Sequence, residues 1–198
     1  PIGMFPGSRK NILDNPTNTQ IVRKHLSGIS TANAFKWQPI HPKPGEYRWD
    51  EADALVAFAR SNGLLMRGHV LVWHNQTPDW VFKDDAGNPA TRELLLSRMK
   101  EHIATVVGRY RGKIFAWDVV NEAIEGKGGL RKSKWLEIIG EDYFDFAFKW
   151  AREADPAAKL FYNDYNEYEP LKRAEIASNV RAWRARGLPV DGIGMQMH

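Results

Sequence analysis

The sequence predicts an α/β fold built on a parallel sheet, and three observations predict it. Short β-branched or apolar runs alternate along the chain with amphipathic helical stretches. Strand, helix and strand in repetition mean crossover connections, which join parallel neighbours. The composition, 43% hydrophobic and 26% charged over 198 residues, is that of one soluble globular domain, with no shift that marks a boundary. The longer strand candidates end in polar or aromatic groups, at the sheet edge where parallel α/β proteins bind ligands.

Six strand candidates occupy residues 2–5, 28–32, 64–73, 114–121, 159–163 and 192–198. The second leads into Asn33 and Lys36. Residues 39–49, with Pro42, Pro44 and Gly45, read as a loop that delivers the chain to a helix. That helix starts with Asp50 as its expected N-cap, runs to Ser61 and stops at Asn62-Gly63, and its Leu55, Phe58 and Ala59 fall at helical spacing. Residues 83–89 read as a second loop. Further helices are expected over about 92–110, about 143–153 before Asp155-Pro156, and about 171–186, closed by Gly187-Leu188-Pro189. The chain has no internal sequence repeat.

Composition also excludes several functions. Without cysteine there is neither a disulfide framework nor a thiolate metal site. No run approaches the roughly 18 apolar residues of a membrane span, and the first residues carry no basic stretch followed by an apolar run. The net charge of +4 is modest and its basic residues are scattered. Arg109, Arg111 and Lys113 read as the solvated end of a helix, so neither nucleic acid nor membrane is expected as a partner. Eight tryptophans are many for this length, and core filling is the first expectation for any one of them.

The strand ends carry the candidate chemistry. His69 and Trp73, four apart on a strand, share a face, while His74 points to the other. These histidines therefore make a poor metal pair; the zincin pattern needs helical spacing and an intervening glutamate. Gln196 and His198 share a face. Glu122 has the strongest chemical case, because a carboxyl at the rim of an apolar core is partly desolvated and suited to general-acid work. Asn121 beside it is placed to donate to a ligand hydroxyl. The competing reading has Glu122 capping the next loop or pairing with a nearby Lys or Arg.

Three separated stretches together resemble a known family. Gly68-His69-Val70-Leu71-Val72-Trp73-His74-Asn75-Gln76-Thr77-Pro78-Asp79-Trp80 is similar to the third-strand signature of the family 10 glycoside hydrolases, the endo-β-1,4-xylanases. Trp117-Asp118-Val119-Val120-Asn121-Glu122 resembles their fourth and Asp191-Gly192-Ile193-Gly194-Met195-Gln196-Met197-His198 their sixth. The resemblance implies a (β/α)8 TIM barrel and hydrolysis of xylan or xylo-oligosaccharides with retention of configuration, without metal or organic cofactor. It implies Glu122 as the general acid/base and Asn121 as the partner of the sugar 2-hydroxyl. Asn33, Lys36, His69, Trp73, Gln76, Gln196 and His198 resemble the glycone-side sugar-binding groups, and Tyr165 would lie near the reacting carbon. Trp117, Trp150 and Trp183 stay assigned to packing. The resemblance favours secretion, although the composition fits secreted and intracellular proteins alike.

Two departures from the family pattern stand out. Within Thr31-Ala32-Asn33-Ala34-Phe35-Lys36, Ala32 occupies the place of a usual Glu that accepts hydrogen bonds from a glycone sugar. The nucleophilic Glu resembles nothing in these residues, since in the family it ends the seventh strand. Strands one to six are therefore expected here and strands seven and eight are not. Residues 1–198 are expected to be part of one catalytic barrel domain, completed by further residues or by a second chain. Asp164 and Glu167, expected on a neighbouring loop, do not match the nucleophile. The alternatives are another retaining β-glycanase, such as a cellulase or mannanase, and a partial barrel that binds xylo-oligosaccharides without cleaving them.

Overall fold

Apolar strands between amphipathic helices bury both faces only when the helices cover the sheet, and the computed structural model, which describes residues 15–196, has this arrangement. In chain order the elements are α1 (Pro16–His25), β1 (Gly28–Ser30), α2 (Trp37–Ile40), α3 (Asp50–Ser61) and β2 (Leu65–Trp73). A 3-10 turn at Asp79–Phe82 follows, then α4 (Arg92–Arg109), β3 (Ala116–Asn121), α5 (Lys134–Ile139), α6 (Tyr143–Ala154), β4 (Lys159–Tyr165), α7 (Pro170–Ala185) and β5 (Gly192–Gln196). The five described strands form one parallel sheet in the order of the chain, which is the order of a (β/α)8 barrel. They are an incomplete barrel. The expected strand at 2–5 and the end of the expected strand at 192–198 lie outside the described residues.

Most predicted elements are present within a few residues. Three helices, α1, α2 and α5, are additional. In α1, Asn15 Oδ1 accepts from the backbone N–H groups of Thr17 and Asn18 at 3.0 and 3.3 Å, and Pro16 stands in the first turn. Only Val22 of α1 is buried, so the helix shows no apolar stripe in the sequence. Helix α5 is too short for a periodicity to register; Ser133 caps it by accepting from Leu136 N–H at 3.3 Å. Part of the expected loop at 39–49 is likewise helical, as the last turn of α2. The N-cap of α3 is Trp49, not Asp50, which starts the helix itself.

The core lies between sheet and helices. Trp117 is fully buried on β3, edge-on to Phe35 at 5.1 Å, and its ring lies over Gly68, where a Cβ would come within 2.3 Å. Trp183 is buried against Phe144 and Tyr162, and Trp150 stacks on Phe146 at 5.1 Å, so these three tryptophans are packing residues. On the inner side of the sheet Gly194 leaves room for Arg67 and Asn163; a Cβ there would lie 2.1 and 2.3 Å from their side chains. Among the described residues, no helix is long and apolar enough to cross a membrane.

Candidate active site

Parallel register lines up the strand ends. Trp73 is level with Asn121, Asn121 with Asn163, and Tyr165 with Gln196. The four strands therefore deliver their last side chains to one rim.

Glu122 stands at the centre of that rim, one residue beyond β3. Its Oε2 accepts from the Trp73 indole N–H at 2.9 Å and its Oε1 from the Gln196 amide at 3.0 Å. Among the described residues its carboxyl enters no ion pair, so the alternative of a structural pairing with Lys or Arg does not hold. Asn121, almost wholly buried, accepts at Oδ1 from Asn163 at 2.8 Å and from Gln196 at 3.0 Å, while its Nδ2 is buried without a partner among the described residues. A buried amide donor left unpaired at a cleft is an invitation to an acceptor on a ligand.

His69 and Trp73 do come together, with ring centroids 6.3 Å apart. His69 Nδ1 lies 2.9 Å from Asp118 Oδ2, and Asp118 also holds Arg67 by two hydrogen bonds. Lys36 Nζ donates to Asn33 Oδ1 at 2.9 Å and sits 4.9 Å from the Trp73 ring centroid. Burial lowers the Lys36 ammonium from its ordinary value, and the Glu122 charge opposes that shift. Gln76 is exposed in the left-handed region at φ 47°, and its carbonyl accepts from Gln38 N–H at 2.8 Å. Tyr165 closes the far side, its hydroxyl accepting from Arg131 at 3.1 Å. His198 lies outside the described residues.

His74 is half-buried behind Glu122, with Nδ1 unpartnered; burial and then Arg131 lower its pKa, against the charges of Glu122, Glu125 and Asp164. Asp164 belongs to β4, not to a loop, because that strand runs two residues further than its apolar pattern. It is fully buried, with Lys172 Nζ 2.7 Å from Oδ1 and the Tyr162 hydroxyl donating to Oδ2. Sequence reasoning missed Arg131 and gave Asp118 no role of its own. Asp118, a charge inside an otherwise apolar strand, is legible as a buried ion; Arg131, in a loop after Gly128-Gly129, carries no local signal. No cluster of three or more His, Cys, Asp or Glu among the described residues is placed to hold a metal ion.

The comparisons agree on one family. The chain is 53% identical over 184 residues to endo-1,4-beta-xylanase B of Paenibacillus barcinonensis, which covers 92% of this chain and 55% of that protein. It is 49% identical over 190 residues to endo-1,4-beta-xylanase A of Thermotoga maritima, covering 93% of this chain and 18% of that one. Among solved structures, a mutant of the intracellular xylanase of Thermoanaerobacterium saccharolyticum in complex with xylotriose superposes with a TM-score of 0.91 at 42% identity, covering 100% of this chain and 63% of that chain. The chain thus spans about half, or less, of the length of these curated relatives. Because residues 4–198 match the family described as Glycosyl hydrolase family 10, over nearly the whole sequence, the chain belongs to that family.

Proposed function

We propose that the whole protein is a retaining endo-1,4-β-xylanase and that residues 1–198 supply its acid/base and most of its glycone-binding groups within one catalytic barrel domain. Glu122 protonates the departing glycosidic oxygen while a second carboxylate attacks the anomeric carbon from the opposite face. It then takes a proton from the water that releases the sugar from the glycosyl–enzyme. The second carboxylate lies outside these 198 residues, with the strands that close the barrel. The reading is carried by the Glu122 carboxyl, held at the strand ends between the Trp73 indole and the Gln196 amide and free of any ion pair among the described residues. The orphan Asn121 Nδ2 supports a hydrogen bond to the sugar 2-hydroxyl. Lys36, Asn33, His69, Gln76 and Trp73 bind the glycone side, and the resemblance assigns His198 the same role. Tyr165 faces them near the reacting carbon.

The test is made on the complete protein. It releases xylo-oligosaccharides from xylan, the β-anomer appearing first by proton NMR, and leaves carboxymethylcellulose and mannan largely intact. In Glu122→Gln, kcat on xylan falls by about 10²- to 10⁴-fold, the usual worth of a positioned proton donor, with xylohexaose binding retained. Preferential cleavage of the cellulose or mannan substrate reassigns the activity. Binding of xylohexaose without new reducing ends reduces the protein to a sugar-binding module, and unchanged turnover in Glu122→Gln removes that residue from its role.

A further inference from the structure

The backbone at Glu122 is unusual. Its φ is +56°, in the left-handed region that residues with a side chain seldom occupy. Such a conformation persists where the surroundings over-determine it. Here every polar group of the adjoining backbone is taken. Glu122 N–H donates to Asn163 O at 2.9 Å. The Glu122 carbonyl accepts from Arg131 Nε at 2.7 Å, and Ala123 N–H donates to the Tyr162 hydroxyl at 3.0 Å. The last two contacts grip opposite ends of one peptide, the unit joining Glu122 to Ala123.

We propose that Arg131 and Tyr162 are positioning residues for Glu122, clamping the Glu122–Ala123 peptide so that the carboxyl stays aimed at the scissile oxygen. This rests on the reading of Glu122 as acid/base. The two arms of the clamp are joined behind the peptide by charge. The Tyr162 hydroxyl donates to Asp164, which fixes its remaining lone pair toward Ala123 N–H. Burial and then the Asp164 carboxylate hold the Tyr162 hydroxyl well above its ordinary pKa, so it stays a donor to that acid. Asp164 is paired with Lys172 at 2.7 Å, both fully buried, and the Lys172 ammonium lies 3.7 Å from the Tyr165 ring centroid. Tyr165 in turn accepts from Arg131. The circuit Arg131, Tyr165, Lys172, Asp164, Tyr162 begins and ends on the same peptide.

Burying an ion pair is weak evidence for added stability, because desolvation offsets the attraction. A polar circuit that converges on one peptide is better explained by what that peptide holds. Arg131 also keeps the following loop in place, its own N–H donating to Ala123 O at 2.7 Å.

The experiment separates positioning from stability by the leaving group. A dinitrophenolate departs without a proton, whereas a sugar alkoxide needs one, so only the second senses a displaced acid. In the complete protein, Arg131→Met and Tyr162→Phe are compared with wild type by kcat/KM, which reports the steps through formation of the glycosyl–enzyme. With xylotetraose we expect a loss of about tenfold to a hundredfold, and with 2,4-dinitrophenyl β-xylobioside less than about threefold, the pattern of a misaimed group. An equal loss on both substrates, or none on xylotetraose, overturns the clamp. Arg131 is partly exposed in a loop, so its variant decides the matter if Tyr162→Phe does not fold. Glu122→Gln runs alongside: if it lacks the leaving-group signature, the acid/base reading fails and the clamp with it. If it shows the signature while the other two do not, the clamp alone fails.

Discussion

Asn121 illustrates how a single side chain organises this rim. Its amide oxygen takes two donors, from Asn163 and Gln196, and its nitrogen has no partner among the described residues, so the amide has one orientation only. Gln196 spends one nitrogen on both Asn121 and Glu122, tying the acid to its neighbour. Lys36 and Asn33 are bonded to each other, an arrangement that keeps the ammonium near the Trp73 face. The side chain of Ala32, one residue away, offers no acceptor. Restoring a charged acceptor by Ala32→Glu is expected to strengthen glycone binding by about 1.5–3 kcal/mol, the worth of a hydrogen bond to a charged group. In the complete protein this appears as a lower KM for xylotriose and xylotetraose; an unchanged or higher KM shows that nothing at this position reaches the sugar.

Packing between elements sets a pH limit on the fold. His41, at the end of α2, and His102, on α4, are both buried, with their Nδ1 atoms 3.2 Å apart. One must donate and the other accept, and each stacks on an aromatic ring, His102 on Trp37 and His41 on Tyr47. Burial pushes His41 down from 6.5 to about 4 and His102 well below 6.5, the latter aided by His41. As pH falls below 6.5 the unfolded chain binds protons that the folded one refuses. The stability held by neutral histidines is therefore full above pH 6.5 and lost between 6.5 and 4, by up to about 3 kcal/mol for His41. Carboxylates held low by their partners, such as Asp53, Asp79 and Asp84, act below this window. Urea unfolding of the complete protein at stepped pH checks this, and a flat stability from pH 6.5 to 4.5 contradicts it.

At the scale of the molecule, the described sheet has two open sides: β1 and β5 each pair with one neighbour among the described residues. Ile193 and Met195 on β5 are exposed, Met195 to 61%. An unpaired strand carrying apolar side chains is a template for association. Produced alone, residues 1–198 are expected to elute as associated species in size-exclusion chromatography, while the complete protein is monodisperse; a stable monomer of the piece refutes this. The alternation that predicts the sheet is legible because strand and helix periods are local. The short or weakly patterned helices are not: α1 buries one apolar side chain, α2 is a single turn and α5 spans less than two turns.

By itself the sequence determined the order and type of the longer elements, the parallel sheet, and the polar strand ends that include Asn121 and Glu122. It also marked Trp117 and Trp183 as packing residues. Only the tertiary structure decided how Glu122 is held. The Trp73 indole, the Gln196 amide, the Tyr162 hydroxyl and Asn163 O come from three other strands, as many as 74 residues away. Only the register between strands brings them to the Glu122 carboxyl and its two flanking peptides. It likewise moved Asp164 into β4 and paired it with Lys172, and it joined His41 to His102 across 61 residues. The physical reason is range. Propensity and hydrophobic period act over a turn or a strand, whereas hydrogen bonds between distant side chains exist only after packing has fixed where each strand ends.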